Sequence, residues 1–317
     1  MAAPRLIMKM KVAALRPEPG EVNVVEFRHP RRPVLPAFEP GSHVDIHLPD
    51  GKVRQYSLMN DPADLSKYVI GVKREDGGRG GSTWLHANLN VGDEVAVSTP
   101  RNHFKLNDEA RSHLLLAGGI GITPMISMAR ALKAQGQAFV LHFFARSRAV
   151  APLLSDLETE IAAGSLALHF DDDPTSTVNL ADLLRDQPDG MHLYYCGPPG
   201  FMAWTRANSA HWNSDTVHFE AFQPDLDPDF VPAPFIMQLR SSGRELEVPA
   251  DVSALTVLRA AGVPLLSSCE NGVCGSCECG FVAGEPIHRD AVLTPGAKSD
   301  RFIPCVSRAK GRLVLDL

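Results

Sequence analysis

The chain reads as three consecutive folding units: an antiparallel β-barrel, an α/β unit with a parallel sheet, and a small cysteine-rich module. Three observations predict this. Short alternating strands separated by Gly, Pro and Asp turns fill roughly the first hundred residues. Apolar strands alternating with helical patterns come next. Five of the six cysteines then fall within the last fifty residues.

The barrel is assigned to residues 1–106. Val44-Asp45-Ile46-His47-Leu48, Tyr68-Val69-Ile70-Gly71-Val72 and Glu94-Val95-Ala96-Val97 are its clearest strands. Met1–Val12 has Arg5, Lys9 and Lys11 among apolar residues; it lacks a signal peptide's apolar core and reads as a first strand. In Arg54-Gln55-Tyr56-Ser57-Leu58, a strand would put Arg54, Tyr56 and Leu58 on one face. A guanidinium there suits a phosphate and a phenol suits a planar ring. Gly77–Leu85 is a glycine loop opening a short helix, with Ser82 or Thr83 as its cap, a second place for an anion. A barrel strand and a flexible turn are the plain alternatives.

Leu106–Ala110 marks a division, and residues 107–224 read as the α/β unit. Its strands are Leu114–Ala117, Phe139–Ala145 and Leu193–Cys196, with a helix over 123–134. The strand ending at Ala117 enters Gly118-Gly119-Ile120-Gly121-Ile122-Thr123-Pro124. Thr123 is the expected helix cap and Pro124 suits the first turn, so the helix start would face a pyrophosphate. Pro124 occupies the last glycine place of the full dinucleotide fingerprint, so this turn alone is a weak sign. Cys196-Gly197-Pro198 ends another strand on the same sheet edge, where ligands of parallel sheets bind. Cys196 by itself reads as a core thiol.

Residues 223–234 hold four prolines and three aspartates, and 225–234 is assigned as a linker. The module spans 235–317. Two alternating runs flank Ser241-Ser242-Gly243, a hairpin signal. A short helix follows, with Ser253 as cap and Leu255, Val257, Leu258 and Ala261 inward. Then comes Cys269-x4-Cys274-x2-Cys277, then 27 residues, then Cys305. This is close to plant-type [2Fe–2S] spacing. Gly272 and Gly275 let the loop fold sharply so that N–H groups face sulfur. A zinc site usually has two short-spaced pairs, and only one is present. The crowding of cysteines into one loop argues against a disulfide framework. Cys279 reads as a small buried hydrophobe. Strand, strand, helix and cysteine loop is the order of a β-grasp ferredoxin, which this segment resembles.

Composition excludes several functions. The net charge of −6 gives nucleic acid no electrostatic footing. No apolar run is long enough to span a bilayer, and reduced cysteines point to the cytoplasm. No paired carboxylates or Ser/His/Asp constellation stands out. His288-Arg289-Asp290 spells a kinase catalytic loop but lacks the partner residues downstream.

Arg54-x-Tyr56-Ser57, Gly80-Gly81-Ser82, the 118–124 turn and Cys196-Gly197-Pro198 together are similar to the ferredoxin–NADP reductase superfamily. With the C-terminal ferredoxin-like module, the whole chain resembles the phthalate dioxygenase reductase family, which includes vanillate O-demethylase and phenoxybenzoate dioxygenase reductase components. Val72-Lys73-Arg74-Glu75, His218–Phe222, His288–Asp290 and Cys305–Ala309 are further matches. The resemblance implies FMN in the barrel. Arg54 with Arg79, Gly80, Gly81 and Ser82 would take its phosphate, Tyr56 would pack on the isoalloxazine, and Ser57 would approach N5. Val72 and Lys73 join these contacts. Gly119, Gly121, Thr123 and Pro124 would border the NAD pyrophosphate and nicotinamide, with Arg146 near the ribose. Cys196, Gly197 and Pro198 would lie by the nicotinamide, and Phe222 near its contact with the flavin. Ser57, Thr123, Cys196 and Phe222 would thus surround the reacting ring atoms, and Cys269, Cys274, Cys277 and Cys305 would hold the cluster.

By resemblance the chain is the reductase component of a two-component Rieske-type aromatic oxygenase or demethylase. Electrons would pass from NADH to FMN, to [2Fe–2S], and to the oxygenase in a transient complex; the family points to a monomer. FAD stays open, although no adenine-binding extension follows the Gly80 loop. Arg146-Ser147-Arg148 leaves NADPH open beside NADH. An FAD-containing reductase of a diiron monooxygenase and a redox sensor without turnover are the alternatives. The oxygenase's substrate is not legible here.

Overall fold

A computed structural model describes residues 6–160, 163–224, 227, 229–294 and 296–317. It divides into two bodies, up to Glu220 and from Ala221 onward.

The first body opens with β1 (Ile7–Glu18), β2 (Val22–Arg28), β3 (Ser42–His47), β4 (Val53–Ser57) and β5 (Tyr68–Lys73). Helix α1 (Gly81–Asn88), β6 (Glu94–Ser98) and β7 (Arg101–Asn102) follow. The expected first strand begins at Ile7; Met1–Arg5 lie outside the described residues. Alternation does the work in β1: Met8, Met10 and Val12 turn inward while Ile7 stays exposed. The strand order is β4-β3-β6-β1-β2-β5, and a bridge between Leu58 and Ile70 joins the two ends. An antiparallel barrel results, filled by residues such as Phe27, Val44, Ile46, Leu58, Tyr68 and Val97.

The same body continues with β8 (Ser112–Gly118), α2 (Ile122–Ala134), β9 (Ala138–Ala145), α3 (Leu154–Glu160) and β10 (Leu166–Phe170). Then come α4 (Leu180–Leu183), β11 (Met191–Gly197), α5 (Pro199–Asn208) and β12 (Val217–Ala221). The sheet runs β10-β9-β8-β11-β12. β8 pairs in parallel with both β9 and β11, and β9 pairs in parallel with β10. The chain leaves β8 toward β9 on one side and takes up β11 on the other. The carboxyl ends of β8 and β11 therefore flank a topological switch point, the usual seat of a ligand in such sheets.

The second body holds β13 (Phe235–Leu239), β14 (Glu245–Val248), α6 (Ala254–Ala260), β15 (Cys279–Ile287), β16 (Arg301–Phe302) and β17 (Arg308–Leu315). Its sheet runs β14-β13-β17-β15-β16, with β13 and β17 parallel. Gly243, at φ 68°, closes the hairpin, and its N–H bonds the Leu239 carbonyl at 2.8 Å. Ser253 caps α6 by accepting from the Thr256 N–H. Ala254, Leu255 and Leu258 are the buried residues of α6; Ala261 is its half-buried C-cap. Cys279 is buried in the module core.

Asp225, Leu226 and Pro228 of the expected linker lie outside the described residues. Further along, the Arg289 guanidinium sits 4.1 Å from the Phe230 ring centroid. Arg308, a buried guanidinium, donates to the carbonyls of Ala233 and Pro249, both at 2.8 Å. Among the described residues, no helix is long and apolar enough to cross a membrane.

Candidate functional site

Two sites emerge, one in each body. In the first, Arg54 on β4 donates to the Arg79 carbonyl at 3.0 Å and so lies across the start of α1. Gly81 makes room for it: a Cβ there would sit 2.4 Å from Arg54 Nε. The expected caps are corrected. Gly80, at φ 80°, is the N-cap of α1 and no side chain caps the helix. Ser82 Oγ instead accepts from the Glu75 N–H at 3.0 Å, and Thr83 Oγ1 donates back to the Gly80 carbonyl at 2.9 Å. The left-handed glycine turns the chain too tightly for either hydroxyl to reach forward. A guanidinium beside a helix start that no side chain caps is chemically suited to an anion.

Tyr56 is half-buried against the barrel core, and burial pushes its hydroxyl well above the ordinary phenol range. Val72 is buried in the core, and its carbonyl meets His86 Nε2 at 2.8 Å. Lys73 is exposed and pairs with Glu75 at 2.8 Å.

Ser57 ends β4 and is buried; its hydroxyl donates to Glu220 Oε2 at 3.1 Å. Glu220 lies on β12, and its other oxygen stands 3.9 Å from His43 Nδ1. Removal from water pushes the Glu220 carboxyl up to about 7. Cys196, fully buried at the end of β11, has its thiol pushed far up by the same loss of water and by the Glu220 charge. Ser57 thus contacts the same carboxylate whose charge bears on Cys196. Sequence reasoning missed Glu220, whose only signal was its place in the His218–Phe222 stretch.

The two glycine turns interlock across β8 and β11. A Cβ on Gly121 would come within 2.3 Å of the Cys196 carbonyl oxygen, and one on Gly197 within 2.6 Å of the Phe201 ring. Gly119 takes φ 51° and opens onto free space. Thr123 is not the helix cap. Gly121 holds that place, because a short 3₁₀ turn over Gly119–Gly121 leads straight into α2. Thr123 is buried in the first turn, donating to the Ile120 carbonyl at 3.1 Å, with Pro124 buried beside it. Its methyl approaches Gly71 of β5, where a Cβ would lie 2.9 Å away. Pro198 precedes α5 as its cap residue.

Arg146 is exposed past the end of β9. The N–H groups of Asp171 and Asp172 bond the Ala145 and Arg146 carbonyls at 3.1 and 3.2 Å, setting an acidic run beside that turn. Arg148 is engaged by Glu158 at 2.8 Å and lies over the Phe170 ring.

In the second body, Phe222 follows β12 directly, and its carbonyl accepts from the Asn271 side chain at 3.5 Å. Cys269, Cys274, Cys277 and Cys305 are all buried. Their thiols bond in two pairs, Cys269 with Cys274 and Cys277 with Cys305. Within each pair the shared hydrogen bond lowers one thiol, Cys274 or Cys277, and raises its partner, Cys269 or Cys305. Backbone N–H groups of Asn271 and Ser276 point at Cys269 Sγ and Cys274 Sγ, at 3.3 and 3.5 Å. Gly272, at φ 72°, lies against Val306 and Asp290 and has no room for a side chain. Among the described residues, no three His, Cys, Asp or Glu side chains gather as ligands of a single ion. Four buried cysteines in plant-type spacing, with backbone N–H groups on two of the sulfurs, suit a two-iron centre.

Comparison with known proteins agrees. Residues 237–310 match the 2Fe-2S iron-sulfur cluster binding domain. A vanillate O-demethylase oxidoreductase from Pseudomonas sp. (strain HR199 / DSM 7063) is 43% identical over 98% of this chain and all of its own length. The phthalate dioxygenase reductase of Burkholderia cepacia is 40% identical over 98% of this chain and 97% of its own. A solved phthalate dioxygenase reductase, described as a modular structure for electron transfer from pyridine nucleotides to [2Fe-2S], superposes with a TM-score of 0.78. It is 40% identical, and the match covers 98% of each chain. Barrel, parallel α/β sheet and cluster-binding module thus occur in one polypeptide, and the chain belongs to the phthalate dioxygenase reductase family.

Proposed function

We propose that the protein is the reductase component of a two-component oxygenase or demethylase, carrying electrons from NADH through FMN and a [2Fe–2S] cluster to a Rieske-type partner. The observation that carries this is the joining, in one chain, of a phosphate cradle at Arg54 and Gly81 to a buried set of four paired cysteines. When bound, the flavin supplies the conversion of a two-electron hydride into single electrons, and the cluster supplies a one-electron relay.

The chain's own residues do the rest. Arg54 and the start of α1 would bind the flavin phosphate, and Tyr56 would cover a ring face and exclude water. The carboxylate of Glu220 holds the Ser57 hydroxyl in one orientation. With its carboxyl near neutrality, Glu220 would hold or release a proton at Ser57 Oγ, beside the place the flavin ring would occupy. The interlocked glycine turns and Cys196 would shape a flat slot for the nicotinamide. Arg148 is already engaged by Glu158, and the backbone of Asp171 and Asp172 pairs with the Arg146 turn, which brings two acidic residues to the region a 2′-phosphate would occupy. This favours NADH over NADPH.

The partner complex would be brief, as expected of electron-transfer encounters with small interfaces, and the protein itself would act as a monomer. Cluster thiolates need a reducing compartment, which suits the cytoplasm.

The test is an absorption spectrum of purified protein with flavin, iron and sulfide counts. One FMN, two irons and two sulfides per chain, with bleaching by NADH, is the expected result. Zinc in place of iron, or no bound flavin, would overturn the proposal.

A further inference from the structure

Glu270, between the ligand Cys269 and Asn271, is one of three non-glycine residues with positive φ among those described, at 50°. This left-handed turn is what aims the Asn271 N–H back at Cys269 Sγ, 3.3 Å away. A side chain resists such a conformation unless something holds it there. The hold is visible. Arg259, on α6, donates to Glu270 Oε1 at 2.7 Å and to Ser267 Oγ at 2.7 Å, and Ser267 Oγ donates to the same Glu270 oxygen at 2.9 Å. The helix that carries Arg259 is fixed in turn by its Ser253 cap and by the buried Leu255 and Leu258. Arg259 on α6 and Ser267 in the loop thus close a clamp around Glu270, the one strained residue of the cysteine loop.

We propose that Arg259 is a positioning residue that sets the reduction potential of the cluster, by clamping Glu270 in its left-handed turn and so keeping the Asn271 N–H on Cys269 sulfur. It rests on the reading of the four cysteines as ligands of a [2Fe–2S] centre. Reduction adds one electron to the centre, and an N–H dipole on a ligand sulfur stabilises the added negative charge. Losing that hydrogen bond makes the centre harder to reduce. Glycine adopts positive φ without a clamp. Replacing Glu270 by glycine therefore makes Arg259 dispensable, and replacing it by glutamine does not.

The experiment uses the full-length holoprotein. Midpoint potentials are read by electron paramagnetic resonance during dithionite titration of wild type, Arg259→Ala, the double variant Arg259→Ala/Glu270→Gly and the double variant Arg259→Ala/Glu270→Gln. The two double variants carry the same charge, so their difference isolates backbone geometry from electrostatics. A lowered midpoint in Arg259→Ala, restored by Glu270→Gly and not by Glu270→Gln, is the expected result. An unchanged midpoint in Arg259→Ala, or equal recovery in both double variants, overturns the inference. Should Arg259→Ala fail to assemble a cluster, iron and sulfide counts replace the potential. Assembly regained only with glycine then supports the clamp, and assembly regained with both or with neither overturns it. A wild-type chain without iron would instead refute the cluster reading itself.

Discussion

Glu220→Gln is the substitution that most directly tests the first site. Removal from water raises the Glu220 carboxyl from 4.5 in the open chain to about 7 in the folded one. The difference of roughly 2.5 pH units, at about 1.36 kcal/mol per unit, corresponds to about 3 kcal/mol. The side chain keeps only 15% of its surface exposed, so solvent discounts this little. Because the folded carboxyl holds its proton more tightly, folding takes up a proton between pH 4.5 and 7. Stability contributed by Glu220 is therefore full below about 4.5, falls as pH rises through that window, and is lost above about 7. Glutamine has no such dependence. Wild type and variant should match near pH 4, and the variant should be more stable by up to about 3 kcal/mol at pH 8. For a body of this size that is a melting-point gain of very roughly 6–12 °C. The assay is thermal unfolding of both proteins from pH 4 to 8, alongside the pH profile of NADH-dependent ferricyanide reduction. An inflection near pH 7 should be present in the wild-type profile and absent from the variant. Parallel stability curves with unchanged activity profiles would refute the placement of Glu220 as a buried, proton-holding group.

Four further outcomes follow from the same structure. Gly81→Ala should force Arg54 out of the cradle and weaken FMN retention roughly tenfold or more, read by equilibrium dialysis against free FMN; unchanged flavin affinity would remove Arg54 from the phosphate site. Cys274→Ser should abolish electron delivery to cytochrome c or an oxygenase yet leave ferricyanide reduction, and equal loss of both would contradict the electron order. Burial and the His169 charge lower His142 to about 4, and burial with His192 and His113 does the same for His218. These neutral imidazoles favour the folded state above pH 6.5 and cease to as pH falls toward 4, so His218→Gln should flatten the acid limb of the stability curve; an identical limb would show that His218 does not titrate on unfolding. Cluster-free protein should be cut by trypsin after Arg289 or Arg301, both between Cys277 and Cys305, faster than holoprotein, and equal rates would show that these positions are protected without iron.

Much of this was readable in advance because the signals are local. Cysteine spacing, the 235–248 hairpin and the Ser253 cap depend on neighbours a few residues away, where spacing determines geometry. The glycine turn at 118–121 was equally plain, yet Thr123 was misplaced by two positions. A 3₁₀ turn consumes residues that an α-helix start would not, and nothing in the side chains marks it. Ser82 and Thr83 failed as caps for a related reason, since a left-handed Gly80 bends the chain away from them. Glu220 was out of reach for a different cause. Its meaning depends on Ser57, 163 positions earlier in the chain, and on the sheet order that brings β12 beside the barrel strand. Glu270 likewise looks like an ordinary acidic residue until its φ is known.

The pairing of Cys277 with Cys305 has a consequence for how the protein matures. Between them lie 27 residues, including all of β15 and β16. An iron seated on both sulfurs would fasten that excursion at its two ends, much as a cross-link shortens an open chain. Metal delivery would then be a step of the module's assembly as well as of its redox chemistry.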